Sequence, residues 1–84
     1  MKWRRARMFK KDISLTTVEQ VKDFVAAVNN FDFEVDLLSG RYHVNGKSII
    51  GICSLDLTQN VHLEARVPSD KESSFLKAIE PFVV

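Results

Sequence analysis

Phe31, Phe33, Val35 and Leu37 alternate without a break with Asp32, Glu34 and Asp36. Strand side chains project to opposite faces with a period of two, so this run demands a strand with one apolar face and one acidic face. A sheet that contains it has one face in water and one face that must be covered. A sheet buried on both sides is thereby excluded. Strands with helices packed against a single side remain.

The rest of the sequence supplies both parts. Tyr42 and Val44 alternate with Arg41, His43 and Asn45 behind a Ser39-Gly40 turn, which predicts a hairpin partner. Val61, Leu63, Ala65 and Val67 alternate with His62, Glu64 and Arg66, and Pro68 stops the run. Phe9, Ile13 and Leu15 share one parity in an opening strand, with Lys11 out of pattern. Val18, Val21, Phe24, Val25 and Val28 recur at helical spacing. Thr16-Thr17-Val18-Glu19 reads as a capping box, a threonine oxygen taking a backbone N–H and the glutamate reaching back. Asn29-Asn30 ends that helix, since asparagine tolerates the left-handed cap conformation. Ser48 caps a short helix through Leu55. Ser69-Asp70-Lys71-Glu72 forms a second capping box before Phe75, Leu76 and Ile79, and Pro81 closes that helix. The order is β-α-β-β-α-β-α, an α+β open-faced sandwich with three helices covering one sheet face.

At 84 residues the chain is one small domain with a thin core. Its single cysteine, Cys53, cannot form an internal disulfide, which favours a reducing compartment. No apolar run approaches the roughly 18 residues a membrane span needs, and the basic amino terminus lacks the apolar stretch of a secretory signal. A cytoplasmic protein is expected. Charge is uneven: six of the twelve basic residues fall within the first eleven positions, while the remainder carries six basic and eleven acidic residues. Residues 1–7 read as a basic extension and residues 8–84 as the domain. A different class of function uses the Lys2–Lys11 stretch as a nucleic-acid or polyanion-binding arm, with Trp3 stacking on bases and binding that weakens steeply with salt.

Chemistry-bearing residues are sparse. His43 and His62 fall at outward strand parity with no cysteine or further histidine at zinc spacing, so neither metal nor cofactor is expected. Asp32, Glu34 and Asp36 read as a solvated sheet face.

One stretch is specific. Gly46-Lys47-Ser48-Ile49-Ile50-Gly51-Ile52-Cys53-Ser54-Leu55-Asp56-Leu57 resembles the regulatory-serine segment of the HPr family, the histidine-containing phosphocarriers of the bacterial phosphoenolpyruvate:sugar phosphotransferase system. Thr58-Gln59 continue the likeness, and Phe24-Val25 match the apolar centre of that family's first helix. The resemblance implies a four-stranded antiparallel sheet under three helices. The Lys47-Ser48-Ile49-Ile50-Gly51 run is similar to the version in low-GC Gram-positive bacteria. There a bifunctional kinase/phosphorylase modifies the serine, and the modified form acts with a catabolite regulator. Ser48 is therefore the candidate regulatory phosphorylation site, with Lys47 beside it. Ile49, Ile50 and Cys53 match the family's exposed apolar docking patch.

The departure from the family lies upstream. Family members carry a Gly-Leu-His-x-Arg-Pro run at the start of the first helix. Here the phosphohistidine position falls at about Thr17 and the arginine position at about Glu19. A histidine phosphoramidate passes its phosphoryl group onward, whereas a threonine ester is stable. Glu19 would also set negative charge where phosphate would sit. The expectation is an HPr-like protein without phosphocarrier activity. It is not an enzyme, and it acts as a regulatory or protein-interaction module. Its expected partners are phosphotransferase-system proteins or their regulators, including the serine kinase and the catabolite regulator. Nucleic acid and membrane are disfavoured.

Overall fold

A computed structural model describes residues 6–84. The strands are β1 (Ala6–Ile13), β2 (Val35–Ser39), β3 (Tyr42–Asn45) and β4 (Val61–Pro68). They form one antiparallel sheet in the order β1-β4-β2-β3. Helices α1 (Val18–Val28), α2 (Ile49–Cys53) and α3 (Glu72–Ile79) complete the expected β-α-β-β-α-β-α order. Among the described residues, no helix is long and apolar enough to cross a membrane.

Parity divides the sheet as its sequence requires. Ile13, Val35, Leu37, Val61, Leu63, Ala65 and Val67 are buried beneath the helices with Val21, Phe24, Val28, Ile52, Phe75 and Ile79. Asp12, His62, Asp36 and His43 stand on the opposite, open face. There His62 Nδ1 lies 2.5 Å from Asp12 Oδ1, and His43 Nε2 lies 3.2 Å from Asp36 Oδ1. Among the described residues no cluster is suited to a metal ion.

Four local expectations change. β2 begins at Val35, not Phe31, so the acidic row is broken: Asp32 and Glu34 precede the strand. Phe31 and Phe33 turn instead onto the buried ring of Phe75, with centroids 5.3 and 5.2 Å away. The aromatic stack outcompetes two further ladder positions. The capping box of α1 is displaced by one residue. Thr17 is the N-cap, its Oγ1 accepting from Gln20 N at 3.1 Å, and Gln20 Oε1 reaches back to Thr16 N at 2.6 Å. Glu19 stays exposed in the first turn. Asn29 ends α1 in the right-handed conformation (φ −68°), and the Asn30 side chain donates to Ala26 O at 3.3 Å, so no left-handed residue is needed. Finally, Ser69–Lys71 is a 3₁₀ turn, and α3 starts behind it without a side-chain cap bond.

β1 starts at Ala6, within the stretch read as an extension. Ala6 and Arg7 pair with Pro68 and Val67 in register with the rest of the strand. Arg7, Lys10 and Lys11 therefore belong to the sheet. Lys2, Trp3, Arg4 and Arg5 lie outside the described residues.

Candidate functional site

α1 packs on α2, and the start of each helix carries candidate residues. The first is the mouth of α1. Thr17 has an extended backbone (φ −131°, ψ 159°), and its hydroxyl is held by the Gln20 amide N–H. Thr16 donates twice to Gln20 Oε1, from its N–H at 2.6 Å and from its hydroxyl at 2.9 Å. The donors that would cradle an anion at a helix start are thus partly taken by the chain's own side chains. Val18, expected on the apolar stripe, is 56% exposed beside them.

The second is the start of α2. β3 ends at Asn45, whose Oδ1 accepts from Lys47 N at 2.8 Å, tightening the turn. Gly46 N–H donates to Val35 O at 2.7 Å, and a Cβ at Gly46 would stand 2.9 Å from that same oxygen. Only glycine lets the turn lie this close against β2. Ser48 follows as the N-cap, with Oγ accepting from Gly51 N at 3.0 Å. Ser48 as a residue is half-buried rather than sealed in.

The helical period then sorts the short helix. Ile52 is fully buried, while Ile50 is 86% exposed, Ile49 39% exposed, and Cys53 also exposed. The structure thus brings Ser48, Ile49, Ile50 and Cys53 together as a polar and apolar surface. Lys47 is held elsewhere. Its ammonium donates to Phe31 O at 2.6 Å, anchoring the α1–β2 connection. The sequence reading missed this anchor, since no local pattern links positions 31 and 47. Past α2, Asp56 Oδ1 accepts from the Thr58 hydroxyl at 2.5 Å and from Thr58 N at 3.1 Å. These bonds, the hydroxyl first, hold the Asp56 carboxyl below its ordinary value. The Asp-Leu-Thr spacing was a legible signal for that turn.

Comparison with known proteins places this geometry. A search of curated proteins gave no match. Two solved crystal structures share the fold. HPr-C-His from Thermoanaerobacter tengcongensis is 24% identical, covering 89% of this chain and 88% of its own, with a TM-score of 0.65. The phosphocarrier protein HPr from Bacillus anthracis strain Ames is 25% identical, covering 92% of this chain and 96% of its own, with a TM-score of 0.65. The PTS-HPr family profile, described as the PTS HPr component phosphorylation site, matches residues 18–84 and so begins one residue past Thr17. With both helix starts inside or bordering that match, this chain belongs to the PTS-HPr family.

Proposed function

We propose that this chain is a member of the family that does not relay phosphate. In this reading it is a non-enzymatic, cytoplasmic regulatory or docking module for proteins of the sugar phosphotransferase system or their regulators. One observation carries the proposal. The two histidines of the sequence, His43 and His62, stand on the open sheet face, which is the face opposite the helices. The mouth of α1 holds a capping threonine instead. Thr17 Oγ1 accepts from Gln20 N and Gln20 Oε1 accepts from Thr16 there, and Glu19 adds a negative charge where a phosphoryl group would need a positive one. The α2 surface points the other way. Ile49, Ile50 and Cys53 are exposed apolar side chains, and such patches mark partner contacts when they cluster. Ser48 sits at the edge of this patch, where phosphorylation would add charge beside apolar docking residues and change partner choice.

Two labelling reactions test the proposal. With phosphoenolpyruvate and enzyme I, the purified protein takes up no acid-labile phosphate; labelling of any histidine refutes the loss of relay. With the serine kinase and ATP, label enters the protein and is absent from Ser48→Ala. An unlabelled wild type reduces Ser48 to a helix cap.

A further inference from the structure

β1 is the longer of the two edge strands, and among the described residues no strand pairs with the outer side of its Ala6–Lys10 stretch. Val84 N–H donates to Asp12 O at 3.0 Å, and Ser14 N–H donates to Phe82 O at 2.9 Å, so at this end β1 points its main-chain groups away from β4. Those groups alternate sides with a period of two in an antiparallel strand. Ala6, Met8 and Lys10 therefore present their N–H and C=O groups to the same outer edge. Pro68, opposite Ala6, agrees with this: it has no N–H to give and fits a pair that exchanges no bonds.

Phe82–Val84 already lie antiparallel along the far end of that edge, with Ile13 bridged to Val83. The edge thus accepts a strand, and one laid in the same line would run past Lys10 and Met8 to Ala6. Beside it, between β1 and α3, is a groove of about 330 Å³ lined by Arg7, Met8, Phe9, Lys11, Glu72 and Leu76. Its walls offer apolar surface from Phe9 and from Leu76, which is 40% exposed. Arg7 and Lys11 line it, with Arg7 paired to Glu72 at 3.5 Å, and Lys10 stands at the same edge on the open sheet face, across from Glu64 of β4.

We propose that the β1 edge binds an extended acidic segment of a partner protein, added antiparallel to β1 as a further strand of the sheet. Main-chain bonds to Ala6, Met8 and Lys10 supply affinity, apolar side chains on one face of the added strand enter the groove against Phe9 and Leu76, and carboxylates on its other face meet Lys10. Charge selects this occupant. A second copy of β1 laid antiparallel would set Arg7 opposite the copy's Lys11 about Phe9, or Lys10 opposite the copy's Lys10 one register on, and like charges across a strand pair resist self-pairing. A nucleic acid would answer the charge but would leave the backbone ladder and Leu76 unused.

The probe is a fluorescein-labelled seven-residue peptide of alternating glutamate and valine, with a lysine–valine peptide and a single-stranded oligothymidine as comparisons. Binding is read by anisotropy, and the contacted edge by amide hydrogen exchange. The acidic peptide should bind and slow exchange at Ala6, Met8 and Lys10, while the lysine peptide does not bind. Met8→Pro removes one outward donor and spares the β1–β4 ladder, so it should weaken binding about fivefold. If that variant fails to fold, Lys10→Glu with Lys11→Glu decides, with weakening on the order of tenfold. Absence of peptide binding overturns the proposal, as does equal binding of the lysine peptide. Oligothymidine binding in place of peptide binding overturns it in favour of a polyanion surface. Protection of the same amides in a spontaneously formed dimer overturns it in favour of self-pairing.

Discussion

Replacing Gly46 with alanine tests how the fold holds the start of α2 in place. The added Cβ would stand 2.9 Å from Val35 Cγ1, 2.9 Å from Val35 O and 3.3 Å from Val35 C. The Val35 methyl group is fully buried on a stiff β-branched side chain, and the oxygen has no freedom at all. It belongs to the first residue of β2, which is paired with Ala65 of β4, and it accepts the 2.7 Å bond from Gly46 itself. Either that bond lengthens or β2 moves at its first residue. Forcing an extra carbon into a packed site costs about 1–3 kcal/mol, while the stiffer unfolded chain returns about 0.4–1 kcal/mol. The net loss of about 1–2 kcal/mol lowers the melting temperature by roughly 5–15 °C in a domain of this size. Gly40 is the control, because it is glycine for a different reason. It has φ +58° and no heavy atom within 4 Å of the place a Cβ would occupy, at the first position of the two-residue loop between Ser39 and Tyr42. An asparagine Cβ at position 40 meets no atoms and is strained only by the positive φ, whereas at position 46 it meets the backbone of β2, so Gly40→Asn should cost less than Gly46→Asn. Thermal and urea unfolding followed by circular dichroism measure these variants. A Gly46→Ala protein that melts at or above the wild type refutes the argument, and so does a Gly46→Asn protein no less stable than Gly40→Asn.

Ser48→Ala removes the Oγ bond to Gly51 N and should cost about 1 kcal/mol in urea unfolding, whereas Ser48→Thr keeps most of it. Phe75→Ala empties the ring position that Phe9, Phe31 and Phe33 all touch, and should cost about 3–5 kcal/mol, a large part of the stability of a domain this small. Asp56 contributes a pH dependence of fixed sign. Its folded pKa lies below the ordinary 3.8, so its stabilising effect is present above that value and fades as pH falls through the lower folded pKa. Thr58→Val removes the hydroxyl bond and should move the Asp56 titration, followed by carboxyl carbon chemical shift, upward toward 3.8; no movement would assign the depression to another cause.

Periodicity carried most of the architecture into the sequence. Val61–Val67 and Val18–Val28 announce a strand and a helix because each buries one face at the period of its own backbone. Ser48 was legible as a cap for a similar reason, since the residue type and the spacing to Gly51 are local. The failures share a cause. Phe31 and Phe33 alternate like strand residues, but their destination is Phe75, far along the chain, and tertiary packing overrides local parity. Lys47 looked like a free cation beside a phosphorylation site until the fold brought Phe31 O within 2.6 Å of its ammonium. The α1 cap slipped by one residue because Gln20 competes with Glu19, and its amide oxygen takes both Thr16 donors.

That slip bears on function as well as on structure. A phosphoryl acceptor at a helix start must leave its reactive atom free and its surrounding N–H groups available for the incoming oxygens. Thr17 gives its oxygen to Gln20 N, and Gln20 returns its own oxygen to Thr16. Each of these bonds stabilises α1, and each removes a group that phosphate transfer would need. At the start of α2 the balance is reversed. Ser48 is a cap that as a residue is only half-buried, and the next two residues present apolar side chains outward instead of folding them into the core. Exposing Ile50 forgoes burial of a side chain worth about 1.5–3 kcal/mol, a cost that a purely structural helix could avoid with a polar residue. Capping accounts for the polar groups at the first helix start, whereas at the second the exposed Ile49 and Ile50 adjoin an accessible serine, and that combination is why we propose docking at α2.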